Sequence, residues 1–255
     1  LFFSAFKEHW SGCNYPINLN SKYKKYEFSG LKITSHTLLN GKDKNWGYRF
    51  KKAIENIQSE YIITLFDDYI LESNVDVNFI NQALQKLESD VDIGAIYLFP
   101  ILKNQIIDDS GNNKFIKINE LVPYRVNTSP AIWRKSFLKE LISEKDDPWS
   151  WEAFAHLKEL AKSKVILSIP NDVTPAYNYS ALEGGAIYRG KWVLSVVDPK
   201  LKKYKIKIDL NKRGIYSENF VLTRSLLWKI KFLISGFRIA GLKIVYFLIK
   251  NYKKL

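Results

Sequence analysis

Residues 61–68 read YIITLFDD, and this stretch decides the fold. Its first six residues, Tyr61, Ile62, Ile63, Thr64, Leu65 and Phe66, carry no polar alternate. That is the pattern of a strand covered on both faces, and it runs straight into Asp67 and Asp68. Just upstream, Trp46, Phe50, Ala53, Ile54 and Ile57 recur at spacings of three and four, which predicts a helix over 46–57. Downstream, 77–87 has the rhythm of an amphipathic helix and 93–99 that of a strand. Helix and strand blocks in alternation imply an α/β layer fold with a mixed sheet flanked by helices.

The outer regions extend the pattern. Residues 1–10 read as the end of a helix, and 15–19 and 31–35 as short strands. Asp108, Asp109, Ser110, Gly111, Asn112 and Asn113 lie between apolar runs and predict a β-hairpin. Helices are expected over 136–142 and 151–162, with a strand over 165–169. Residues 182–192 are Gly-rich without periodicity and read as a mobile loop. The sequence contains no internal repeat.

Composition narrows the function classes. The 255 residues are 46% hydrophobic and 15% aromatic, which excludes disordered and collagen-like architectures. Cys13 is the one cysteine, so a disulfide framework and a Cys-rich metal centre are excluded. His9, His36 and His156 stand at unrelated spacings and do not suggest a His-built metal site. The formal charge is +13, and its placement matters more than its size. Residues 1–199 balance 24 Lys and Arg against 24 Asp and Glu; residues 200–255 set 15 against Asp209 and Glu218. A nucleic-acid-binding core would carry its own basic surface, so nucleic acid is not an expected partner. The sequence has no Met and begins with Leu1, which is expected either if its true N-terminus is missing or if modified residues are omitted; no signal peptide is visible at this start, and a truncated start does not exclude one.

In open α/β sheets ligands bind beyond the carboxyl ends of strands. Two neighbouring acids there can divide the work. One can accept hydrogen bonds from a ribose or sugar, and the other can hold Mg²⁺ or Mn²⁺ against substrate phosphates. The alternative is a solvated acidic turn.

The stretch 45–71, NWGYRFKKAIENIQSEYIITLFDDYIL, resembles a group of bacterial GT-A-type glycosyltransferases, in which a Trp-x-x-Arg helix leads into an apolar strand ending in an Asp-Asp-Tyr version of the DxD motif. The segments 2–19, 124–138 (YRVNTSPAIWRKSFL), 148–152 (PWSWE) and 190–192 (GKW) are similar to further parts of that pattern. Together they span roughly residues 1–195. The resemblance implies a nucleotide-diphosphosugar transferase fold, with Asp67 and Asp68 on the donor and Asp68 on a divalent cation. Such folds open with a strand and turn that hold the nucleotide base, and this sequence starts after that element. It also has Tyr69 where a plain Asp-x-Asp motif places an acid.

An inverting sugar transferase needs a base for the acceptor hydroxyl. Glu152, at the start of a helix and among Trp149 and Trp151, is the candidate; aromatic neighbours can raise a carboxyl's pKa and stack on a sugar ring. Glu152 equally suits the positive end of its helix. Asp146 and Asp147 are alternative bases or helix caps. Arginine is scarce, 7 against 32 Lys, and its fork suits phosphate. Arg125 is therefore a candidate for donor phosphate or acceptor, and Arg49 for the nucleotide; the other readings are a surface arginine for Arg125 and a helix-surface ion pair for Arg49. Arg189 and Lys191, in the Gly-rich segment, could close over a diphosphate. That segment lacks P-loop spacing.

On a wheel of about 100° per residue, Arg224, Lys229, Lys231, Arg238, Lys243 and Lys250 share one half of the last segment. Leu226, Leu227, Ile230, Leu233, Ile234, Phe237, Ala240, Ile244, Val245 and Leu248 share the other. Its uncharged runs reach six residues, far short of the ~20 that span a bilayer. A basic face opposite an apolar one describes an interfacial helix on anionic lipid, with Ser235-Gly236 and Gly241 as points of kinking or division.

The sequence therefore predicts a catalytic domain over 1–199 and a basic, membrane-associating tail over 200–255. The resemblance implies a peripheral hexosyltransferase, of inverting type, at the cytoplasmic face of a bacterial inner membrane. It would move sugar from a nucleotide-diphosphate donor to a glycan or lipid-linked acceptor in surface polysaccharide or lipopolysaccharide synthesis. The alternatives are a sugar-phosphate nucleotidyltransferase and a non-catalytic membrane scaffold on a degenerate transferase core.

Overall fold

The computed structural model describes residues 1–21, 23–37, 45–100, 114–181, 184–218 and 224–251. The hairpin expected around 108–113 lies outside them, as do Leu182, Glu183 and residues 219–223. In chain order the N-terminal half has α1 (Phe2–His9), β1 (Ile17–Ser21), β2 (Ile33–Thr37), α2 (Trp46–Glu55), β3 (Tyr61–Thr64), α3 (Val77–Ser89) and β4 (Ile93–Tyr97). It continues with β5 (Ile116–Lys117), β6 (Ala131–Arg134), α4 (Lys135–Leu141), α5 (Pro148–Phe154), α6 (Glu159–Lys162) and β7 (Val165–Ser168). A short hairpin, β8 (Ile187–Tyr188) and β9 (Lys191–Trp192), precedes α7 (Leu194–Lys203), α8 (Leu226–Ala240) and α9 (Lys243–Asn251).

The main sheet is five-stranded and mixed, in the order β3-β6-β4-β7-β5. β6 runs antiparallel to both β3 and β4, while β4 and β7 are parallel. β1 and β2 form a separate parallel pair in register Ile17 to Ile33. Successive strand residues point to opposite faces, so each central strand supplies two layers. Ile93, Ile96, Ile132 and Leu167 pack with α1 and α3, and Ala95, Tyr97, Trp133 and Ile166 pack with α2, α4 and α5.

The strand covered on both faces is β4, all five residues of which are buried, and not β3. β3 ends the row, and only Ile62 and Thr64 of its four residues are buried. Tyr61 and Ile63 instead line a groove shared with β1. The helix expected over 151–162 is also interrupted. α5 is capped by Asp147, whose carboxylate accepts from Ser150 N at 3.0 Å, and a 3-10 turn over Ala155–Leu157 separates it from α6.

α8 inverts the usual orientation. It meets the core through Ser235, Gly236 and Ile239, with the Phe232 ring packed 4.9 Å from Phe154 of α5 at a tilt of 48°. A Cβ on Gly236 would stand 2.9 Å from the Phe154 ring, so a glycine permits this approach. Leu226 (74%), Leu227 (61%) and Ile234 (57%) point to solvent instead. Gly241, at φ +59°, divides α8 from α9, whereas Ser235-Gly236 leaves α8 continuous. Among the described residues no helix is long and apolar enough to cross a membrane.

Candidate active site

β3 delivers Asp67 and Asp68 at a turn in which Tyr69 N donates to Phe66 O. This turn is fixed from below and from the side. Tyr177 Oη donates to Tyr69 O at 2.8 Å, and Ala186 N donates to Asp68 O at 2.8 Å. Gly185 makes the second contact possible: it has φ +83°, and a Cβ there would lie 2.9 Å from Asp68 O. The segment read as a mobile loop is thus partly a β-hairpin bound to the acidic turn. Arg189 (φ +50°) and Gly190 (φ +81°) form its two-residue turn, the left-handed pair that matches the twist of hairpin strands.

Burial raises the Asp68 carboxyl to about 6, and the neighbouring Asp67 charge adds to the rise. Its own backbone N–H and the Arg213 guanidinium act in the opposite direction, while Glu152 adds a further like charge. Glu152 projects from α5 and is also raised, first by burial. Two donors offset part of that rise: Thr128 N at 2.8 Å and Thr128 Oγ1, both on Glu152 Oε1. Since Thr128 Oγ1 donates to the carboxylate, Tyr69 Oη at 3.1 Å is the donor to Thr128. Tyr69 therefore belongs to the acid network from the position where a plain DxD motif has an acid. Its ring lies 4.5 Å from Tyr179, which packs 4.9 Å from Phe99. Burial pushes the Tyr179 hydroxyl up to about 12. The result is an aromatic wall beside two carboxyls of raised proton affinity.

The other candidates separate. Arg49 of α2 and Asp67 line the same large groove, and Arg49 Nε is buried with no hydrogen-bond partner among the described residues. Arg189 stands exposed at the hairpin tip with its guanidinium 5.3 Å from the Tyr188 ring centroid. Lys191 lies on β9 beside Gly214.

Arg125 requires a correction. It is fully buried, and its guanidinium donates to Ala161 O and to Lys164 O (2.7 Å), leaving it no reach to a donor phosphate. Tyr97 Oη adds a bond to Arg125 O at 3.0 Å. Asp146 and Asp147 are likewise structural. Asp146 is buried, accepts from Ser143 N at 2.9 Å and lies 3.7 Å from Lys158, while Asp147 caps α5. Of the three acids offered as a base, only Glu152 joins the acidic turn.

Arg213 was missed by the sequence reading. It comes from the region counted with the basic tail, yet residues 214–216 pair with Trp192: Trp192 N donates to Gly214 O (2.9 Å), and Tyr216 N to Trp192 O (2.8 Å). This places the Arg213 guanidinium 5.2 Å from the Trp192 ring centroid and within the field of Asp68. The available signal was its step from an alternating Lys run to Arg213-Gly214, a turn dipeptide.

Among the described residues no group of three or more His, Cys, Asp or Glu converges into a metal site. Asp67 and Asp68 suit a different mode, in which Mg²⁺ takes one or two protein carboxylates and completes its shell with water and substrate phosphate. No family model matches the chain, and no curated protein matches it.

Proposed function

We propose that the protein is a GT-A-type glycosyltransferase that moves a sugar from a nucleotide-diphosphate donor to a hydroxyl of a glycan or lipid-linked acceptor. The observation that carries this reading is the pair of half-buried carboxyls of raised proton affinity, Asp68 and Glu152, at the end of β3, with Glu152 bonded through Thr128 to Tyr69, the residue after Asp68, and Arg213 alongside. A buried carboxyl of raised pKa is suited to take a proton near neutral pH. Glu152 takes the acceptor's hydroxyl proton as the oxygen bonds to the sugar's anomeric carbon. The anomeric carbon–phosphate oxygen bond breaks, and its electrons leave on the nucleotide diphosphate. Arg213, with Arg189 and Lys191 on the adjoining hairpin, offsets the charge on that leaving group. Asp67 and Asp68 hold the donor, and a divalent cation on them would supply further neutralisation of the diphosphate. The aromatic wall of Tyr69, Tyr179 and Phe99 gives a sugar ring a face to stack on.

The same reading places the enzyme on an anionic membrane surface through 220–255, facing the bacterial cytoplasm, where lipid-linked acceptors are found. The exposed Leu226, Leu227 and Ile234, with Arg224, Lys229 and Lys231 on the same helical segment, support it; cations near such a surface contribute about 1 kcal/mol each.

Calorimetric titration with UDP-, GDP- and dTDP-sugars tests the enzymatic part. One of them should bind and be turned over, and Asp67→Asn with Asp68→Asn should abolish the binding heat. Absence of heat with every donor would leave a scaffold. Flotation with vesicles containing phosphatidylglycerol tests the surface part. Leu226→Glu with Leu227→Glu should lose flotation while keeping the melting temperature, because both side chains are already in water.

A further inference from the structure

Two large rings stand in water beside Glu152. Trp149, three residues before it on α5, is 55% exposed, and Tyr124 is 52% exposed. Burial raises the Tyr124 hydroxyl's pKa and the Glu152 charge adds to the rise, so the two share one field. Tyr124 is held at φ +61°, a backbone conformation unfavourable for a bulky side chain. On the other side of Trp149 stands Arg224. Its guanidinium lies 5.8 Å from the Trp149 ring centroid and 4.3 Å from that of Trp228 on α8. Among the described residues the Arg224 side chain makes no ion pair and no hydrogen bond; its neighbours there are the two indoles. A guanidinium held between aromatic faces keeps its hydrogen-bonding edge for another partner. Leu226 and Leu227, next along the chain, point into solvent.

We infer that Tyr124, Trp149, Arg224 and Trp228 form a site for the headgroup of a membrane lipid that carries a sugar on a phosphate, with the sugar next to the phosphate lying beside Glu152. The inference rests on the transferase reading in one respect: it takes that sugar as the acceptor, and so names the acceptor as lipid-linked rather than a free glycan. The order of chemistries carries it. Leu226 and Leu227 suit a hydrocarbon chain, Arg224 a phosphate, Trp149 and Tyr124 the face of a sugar ring, and Glu152 its hydroxyl. A free glycan would use neither the guanidinium nor the leucines, and a plain anionic lipid would leave Trp149 and Tyr124 without a role. The span fits as well. Arg224 lies 5.8 Å from the Trp149 ring, and residues three apart on a helix stand about 5–6 Å apart, so phosphate and base are on the order of 10 Å apart. That is roughly the reach of one or two sugar rings, so the reacting hydroxyl belongs to a sugar close to the phosphate and not to the far end of a long polymer. The rings of Trp149 and Trp228 also belong at a membrane interface, where one edge is wet and the other apolar.

Binding to nanodiscs of phosphatidylcholine, a surface without net charge, tests the site with no sugar nucleotide present. The discs carry glucose 1-(dodecyl phosphate), dodecyl phosphate or dodecyl glucoside. The first should bind roughly tenfold more tightly than either of the others, one lacking the sugar and the other the phosphate. Trp149→Ala should erase the gain that the sugar brings, and Arg224→Gln the gain that the phosphate brings, with melting temperatures unchanged. Soluble glucose 1-phosphate at the same concentration should not compete. Equal binding to all three discs, or an equal loss on all three in both variants, would overturn the inference in favour of a plain membrane anchor. A lowered melting temperature in Arg224→Gln with both gains kept would overturn it in favour of a mount for α8. Competition by glucose 1-phosphate would overturn it in favour of a soluble sugar phosphate. Failure here leaves donor binding untouched, and a donor titration without heat leaves this site untouched, so the two readings fail separately.

Discussion

Arg125 and the Asp68–Glu152 pair bury charge on the same body, and they do so in opposite ways. Arg125 is wholly enclosed, and two nitrogens of its fork donate to the backbone carbonyls of Ala161 and Lys164, while Nε has no hydrogen-bond partner among the described residues. Asp68 and Glu152 are less enclosed, yet the charges of Asp67 and Glu152 add to the proton affinity of Asp68; Thr128 relieves Glu152, and a backbone amide and Arg213 relieve Asp68. A buried charge with its partners in place supports a fold. A buried charge leaning on its own kind stores unfavourable energy that a bound cation, hydroxyl or proton would release, which is the mark of a site. Burial alone does not tell the two apart; the partners do.

The largest break in this contrast should come at Glu152. Replacing it with Gln keeps the shape and removes the base, and kcat for sugar transfer should fall ~10²- to 10⁴-fold. In the unaltered protein activity should rise with pH through the raised pKa of Glu152, and the variant should lose that limb. Retention of full activity would end the assignment. Next comes Arg125→Met, which leaves Ala161 O and Lys164 O without their donor. Stability in urea should drop by about 2–4 kcal/mol, with donor affinity unchanged in the folded fraction; weakened donor binding would return Arg125 to the site. The smallest effect sharpens the other side. Asp68 binds its proton more tightly folded than unfolded, so between its ordinary 3.8 and about 6 the folded state carries the excess of protons. Stability contributed by this group therefore falls as pH rises through that window and stays lower above it. Asp68→Asn should stabilise the fold at pH 7 by at most about 3 kcal/mol, while donor binding is lost. The gain should vanish below pH 4, measured as the difference in melting temperature between the two proteins.

What could be read in the sequence follows from the range of the forces. The helices at 46–57 and 77–87 and the strand at 93–99 were legible because periodicity is local, and the mixed α/β architecture followed from their alternation. The standing of β3 was not. A continuous apolar run says that a strand is covered, but whether it is central or an edge depends on β6, some seventy residues away. The hairpin at Ile187–Trp192 was hidden because its turn uses Arg189 at positive φ, where Asn or Gly would have announced it. At the site, Asp67, Asp68 and Glu152 stood out by type and place. Arg213 did not, because a charge seen among many tail charges has no visible target until the chain folds back on Trp192. Arg125 misled for the converse reason: scarcity suggested use, and the use was structural.

Glu152 and Phe154 sit two residues apart on the seven-residue α5, one bonded to Thr128 and the other packed against Phe232 of α8. A single short bracket therefore carries both the carboxyl and the mount of the greasy C-terminal helices. Force applied to those helices reaches the carboxyl by way of Phe154, whose ring meets both Phe232 and Phe247. Trimming them away to ease handling would strip the cover from Phe154 and slacken the turn that aims Glu152.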